Sequence, residues 1–125
     1  MKLDFSVGIG RNLRISEIGE HARVAEQCGF SHVTFVDQQN LNPDVYVMMT
    51  LASMATHRIK IGQGVTQPYT YHPSVTANAT ASVDALSGGR AFLGIGAGGN
   101  AVRSMGLKAS PMNDFRECIK FIKQY

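Results

Sequence analysis

Residues 91–100 read AFLGIGAGGN, and within them Gly94, Gly96 and Gly99 spell G-x-G-x-x-G. Two readings of this stretch lead to different folds. A dinucleotide-binding turn needs a strand before the glycines, a helix opening among them, and an acid about 20 residues on at the end of a second strand. The apolar run 91–95 supplies the strand. The next residues, NAVRSMGLKASP (100–111), carry Gly106 and Pro111, which work against a long helix. The acids that follow, Asp114 and Glu117, fall in a helical pattern. The pyrophosphate reading therefore fails, and the purpose of the glycines has to come from the rest of the chain.

Outward from this stretch, short β-rich runs recur at 5–9 (FSVGI), 32–36 (HVTFV), 59–65 (IKIGQGV) and 91–95. Each is followed by a helical pattern. Ser16 is positioned to cap the first, whose Ile18, Ala22, Ala25 and Cys28 follow 3–4 spacing before Gly29 stops it. Asn42-Pro43 opens the second, with Val45, Met48, Leu51, Ala52 and Ala55 as its apolar face. Pro73 opens the third, through Val75, Ala79, Val83 and Leu86 to Gly88-Gly89. Ser110-Pro111 opens the fourth, with Phe115, Cys118, Ile119 and Ile122 on one side. Strand–helix alternation of this kind specifies a parallel α/β sheet with right-handed crossovers. Starts at 5, 32, 59 and 91 recur every 27 to 32 residues, close to the ~31 per unit of a ~250-residue (β/α)8 barrel. Four units predict the parallel (β/α)4 half of a TIM-type barrel, in a single domain over residues 1–125; a small doubly wound open sheet is the competing architecture.

Composition narrows the function. The chain has 125 residues and a net charge of +3 from scattered Lys and Arg, which argues against nucleic acid as a partner. No run approaches ~18 apolar residues, so no membrane span is expected. Asp4 sits where a secretory signal needs an apolar core, and Cys28 and Cys118 read as buried thiols, consistent with the cytoplasm.

A ligand of such a sheet meets the C-terminal strand ends, here 8–11, 37–40, 62–67 and 94–100. These ends are rich in glycine and amide, and poor in bases and nucleophiles. His21, His32, His57 and His72 are dispersed, without metal spacing. Asp37 is the one carboxylate at a strand end; it reads either as a loop brace or as an acid facing a ligand from the mouth of the sheet, partly solvent-accessible. The glycines of Gly62-Gln63-Gly64 are odd for a buried strand. They fit either helix packing or a flattened wall against which a planar ring lies. Backbone and amide groups with few acid–base side chains suit a redox cofactor that carries its own reactivity.

At this point the residues resemble the luciferase-like flavin and deazaflavin oxidoreductases. The resemblance rests on AEQCGF (25–30), FVDQ (35–38), DVYVMMTLASMAT (44–56), IKIGQGVTQPY (59–69) and LSGGRAFLGIGAGG (86–99). The pairing of GQGVTQPY with LGIGAGG is most similar to the branch of coenzyme F-420-dependent methylenetetrahydromethanopterin reductases. The resemblance implies a (β/α)8 barrel whose third strand carries a non-prolyl cis peptide behind the deazaflavin ring, falling here on Gly64-Val65. It implies that Gly64, Val65, Thr66, Ile95, Gly96 and Ala97 bind the cofactor and that Asp37 is the catalytic acid. The glycines of LGIGAGG then end a strand and let backbone approach the ring. Two departures stand out: the first strand offers Gly8 where the reductase branch has a glutamate, and Gln38 follows the strand-2 acid where histidine is common.

The function so implied is hydride transfer between coenzyme F-420 and a small-molecule substrate. The alternatives are an FMN-dependent monooxygenase and a non-catalytic half-barrel that binds, assembles or is truncated. Four strands leave two open sheet edges and an uncovered inner face, expected to be apolar. That predicts a homo-oligomer or a complementary C-terminal half.

Overall fold

The computed structural model of the chain describes residues 3–10 and 13–125. Four strands, β1 (Ser6–Ile9), β2 (His32–Phe35), β3 (Lys60–Gln63) and β4 (Ala91–Phe92), form one sheet in the order β1-β2-β3-β4. All three pairings are parallel. A doubly wound sheet reverses its strand order at a switch point; this one does not, so the half-barrel expectation is the one met. Helices α1 (Ile18–Gln27), α2 (Val45–Ala55) and α3 (Pro73–Ser87) make the crossovers. A short α4 (Asn100–Arg103) and then α5 (Met112–Ile122) follow β4. Among the described residues no helix is long and apolar enough to cross a membrane.

Register sorts the side chains by face. Val7, Val33 and Ile61 are partners in one row, and Ile9 and Phe35 in another. These residues pack with Ile18, Ala22, Val45, Met48, Met49, Ala52 and Val83 into one core between sheet and helices. The alternate rows, Ser6–His32 and Gly8–Thr34–Gly62–Phe92, face away from the helices. The inner face was expected to be apolar. Instead it is small and polar apart from Phe92, whose ring meets His32 edge-on with centroids 5.5 Å apart.

Helix ends were placed by local chemistry, with corrections. Ser16 does not cap α1; it lies in a 3-10 turn, Ile15–Glu17, that leads into the helix. Asp44, not Asn42, caps α2: its Oδ1 accepts Tyr46 N at 2.9 Å and Val47 N at 3.1 Å. Pro73 does open α3, behind a His72 cap, and Gly88 closes it in the left-handed region at φ 72°. Pro111 is the N-cap of α5. Cys118 is buried as expected, but Cys28 is exposed, because it sits at the C-cap of α1, where the chain turns at Gly29 (φ 84°). On α3, Val75 and Leu86 are exposed, and Thr76, Ala77 and Ser87 are buried with Val83. That face is polar because it holds the sheet by hydrogen bonds. Gln63 Nε2 donates to Thr80 Oγ1, and Ala91 N donates to Asp84 Oδ1.

Two charged side chains fasten the N-terminal end of the sheet. The guanidinium of Arg90 donates to the carbonyls of Ser53, Thr56, Ile59 and Ser87 and to Thr56 Oγ1, all at 2.7–3.0 Å. Glu26 Oε1 accepts the backbone N–H groups of His57, Arg58 and Ile59 at 3.0, 2.6 and 2.9 Å. Burial pushes the Glu26 carboxyl up, but those three donors outweigh it and leave it below its ordinary value.

Candidate functional site

Beyond Gln63 the third strand leaves regular pairing. The Gly64–Val65 peptide bond is cis, and Gly64 N donates to Phe35 O at 2.8 Å. Contact with the fourth strand then resumes. Thr66 N donates to Gly94 O, and Gly96 N to Thr66 O, both at 2.9 Å, and Thr66 bridges Ile95 in parallel. Ala97 O accepts Ser110 N at 2.6 Å. Gly64, Val65, Thr66, Ile95, Gly96 and Ala97 therefore lie together on one backbone surface at the C-terminal end of the sheet.

The glycines of this surface have two different neighbours. A Cβ on Gly62 would stand 2.5 Å from Phe92 O and 2.6 Å from two ring carbons of Phe92. One on Gly64 would stand 2.7 Å from Thr34 Cβ. The missing side chains of Gly62 and Gly64 thus make room for Phe92 of β4 and Thr34 of β2, while Gly64 itself stays exposed. Gly94 and Gly96 make room for something else. A Cβ on Gly94 would collide with the Gln63 carbonyl, and one on Gly96 would come within 3.3 Å of Val65 Cγ2. Val65 is 50% exposed and rests against these two glycines, forming a low apolar platform open to solvent.

Asp37 was expected in the mouth of the sheet, partly accessible. It is instead 2% exposed. Its Oδ2 accepts the hydroxyl of fully buried Thr66 at 2.5 Å, and its Oδ1 accepts Gln39 Nε2 at 2.6 Å. It caps no helix; Asp44 does that for α2. Burial pushes the Asp37 carboxyl above its ordinary value, the Thr66 and Gln39 donors pull it back, and the charge of Asp44 adds to the rise. The arrangement ties the end of β2 to the residue that follows the bulge of β3.

Gln39 and Gln67 were not singled out in the sequence. Buried Gln67 turns its side chain back on its own loop: Oε1 accepts Tyr69 N at 2.7 Å, and Nε2 donates to Thr70 Oγ1 at 2.5 Å. A long amide side chain gives no local signal for such a role. Thr34 and Phe92 were missed because their relation to the glycines exists only once the register is fixed. The described residues hold no group of three or more potential metal ligands, and Arg11 lies outside them.

Residues 3–125 match the family described as luciferase-like monooxygenase. The chain is 35% identical over 124 residues to a 5,10-methylenetetrahydromethanopterin reductase of Archaeoglobus fulgidus, covering 98% of this chain and 37% of that protein. It is 40% identical over 113 residues to the reductase of the same name from Methanolobus tindarius, covering 89% and 34%. The solved structure of the coenzyme F-420-dependent tetrahydromethanopterin reductase from Methanopyrus kandleri superposes with a TM-score of 0.91 at 32% identity, covering 100% of this chain and 40% of that one. The chain thus spans little more than a third of the length of the relatives it matches.

Proposed function

Because this chain belongs to the luciferase-like monooxygenase family, we propose that it forms the cofactor-facing part of an oxidoreductase that transfers hydride with the deazaflavin coenzyme F-420. The observation that carries this reading is the Val65 platform. It is an exposed apolar side chain set against Gly94 and Gly96, where any Cβ would crowd the strand junction, and it is flanked by backbone and amide groups. A flat ring fits such a surface. The likeness to F-420-dependent and methanopterin-linked reductases favours the deazaflavin over FMN.

When bound, the deazaflavin supplies the carbon that gives or takes the hydride. The chain's own residues bind and orient. Val65 would support a bound ring, with the strand-end backbone of Ile95, Gly96 and Ala97 beside it. Thr66 is held by its two main-chain bonds to the fourth strand and by its hydroxyl on Asp37. Asp37 is sequestered from the mouth, so it acts through Thr66, as a positioning residue. The rest of the wall and the grip on substrate come from a complementary C-terminal half or from a second copy of the chain.

Titration of the purified chain with coenzyme F-420, and separately with FMN, tests this by absorption and fluorescence. Weak F-420 binding that exceeds FMN binding is expected, and loss of it on replacing Val65 by Asp. Preferential FMN binding would move the reading to a flavin monooxygenase, and binding of neither would leave the non-catalytic half-barrel. Sizing chromatography on the same sample reads self-association.

A further inference from the structure

The loop from β3 to α3, residues 64–72, carries Thr66 on its inner side and Tyr71 near its end. Tyr71 Oη donates to Asp44 Oδ2 at 2.8 Å, across 27 residues of sequence. The other oxygen of Asp44 is already engaged as the cap of α2. Tyr46, in the first turn of α2, meets the Tyr71 ring edge-on with centroids 5.5 Å apart. The loop is therefore fastened to the start of the second crossover at two points, Thr66–Asp37 inside and Tyr71–Asp44 outside.

Between the two points lies a cavity of about 240 Å³ bordered by Asp37, Gln39, Asn42, Asp44 and Tyr71. The loops are not closely packed across it, so the two hydrogen bonds, together with the Tyr46–Tyr71 ring contact, fix their separation. The intervening segment is stiff, because Gln67 holds the backbone N–H of Tyr69 and Thr70. A shift at Tyr71 is thereby carried to Thr66 and to the neighbouring platform.

We propose that Tyr71 and Asp44 form a cross-loop brace that positions the Val65–Thr66 surface from outside the site, Tyr71 being a positioning residue for the ligand held there. The role in ligand binding rests on the function proposed above; the brace itself does not.

Tyr71→Phe keeps the ring and its contact with Tyr46 and removes only the hydroxyl. Asp44→Ser keeps a good helix cap and removes the second oxygen. Each is expected to weaken coenzyme F-420 binding by about fivefold, the equivalent of one hydrogen bond, with little change in unfolding midpoint, and the double variant is expected to be no worse than either single one. Hydrogen exchange at the Tyr69 and Thr70 amides should speed up several-fold in both variants. Unchanged exchange in Tyr71→Phe would overturn the brace, whatever happens to binding. Faster exchange with unchanged F-420 affinity would overturn its positioning role. If the unaltered chain binds neither F-420 nor FMN, the proposed function fails, and the exchange rates still decide the brace.

Discussion

Gly64 is the position where the structure makes its sharpest quantitative demand. An alanine there places its Cβ 2.7 Å from Thr34 Cβ, 2.9 Å from Thr34 Oγ1 and 3.2 Å from Thr34 Cγ2. The nearest of these is a Cβ atom, fixed to the backbone of β2 and unable to rotate away. The strands have to separate by roughly an ångström, a distortion of the kind that costs about 1–3 kcal/mol when a core is overpacked. Lower chain entropy in the unfolded state returns about 0.4–1 kcal/mol for Gly→Ala, so the net loss is about 1.3 kcal/mol at mid-range, within bounds of about 0 and 2.6 kcal/mol. For a domain of this size that corresponds to a fall in Tm of about 3–10 °C. All three close atoms belong to one side chain, so Thr34→Gly should relieve the clash. Thr34→Gly alone destabilises, yet the Gly64→Ala/Thr34→Gly pair should be more stable than the sum of its parts by about 1 kcal/mol or more. Urea unfolding of the four proteins, followed by circular dichroism, supplies the cycle. Additivity in the pair would refute the claim that this glycine exists to admit Thr34.

Three further outcomes are expected. Arg90→Lys should lower stability by about 2–4 kcal/mol in urea unfolding, because an ammonium cannot reach the spread of carbonyls that the guanidinium bridges. Glu26→Gln should cost about 1–2 kcal/mol at neutral pH. The Glu26 carboxyl is held below its ordinary value, so this stabilisation is present above the unfolded-state pKa and is lost as pH falls through the folded one; the gap between unaltered and variant chains should close below about pH 4. Asp37 has the opposite sign: its carboxyl is raised by burial, so the folded state binds the proton more tightly and stability declines as pH rises from about 4 through the folded-state value. Asp37→Asn should flatten that decline in a pH series of thermal melts.

The fold was legible because its signals are local. Pro73, Gly88 and the apolar rows of α1 and α2 act within a few residues, and the recurrence of strand and helix announces parallel crossovers without any knowledge of contacts. The family motifs likewise drew attention to Gly64, Val65 and the LGIGAGG glycines before their surroundings were known. Local signals misled where a polar side chain does the packing. The face of α3 was assigned by following Val75 and Leu86, whereas Thr76, Thr80, Asp84 and Ser87 turn inward because β3 and the Arg90 turn offer them hydrogen-bond partners.

The sequence by itself determined the order and kind of the elements, the parallel sheet and the strand ends where a ligand would be met, since helix caps, turn glycines and apolar periods depend on neighbours along the chain. The tertiary structure alone decided what each of those strand-end residues touches. Register between strands about thirty residues apart puts Phe92 over Gly62 and Thr34 over Gly64, rests Val65 on Gly94 and Gly96, and turns Asp37 away from the mouth toward Thr66. Such pairings leave no trace in either partner's own neighbourhood, because a void left by one glycine is filled by a side chain whose position only the completed sheet defines.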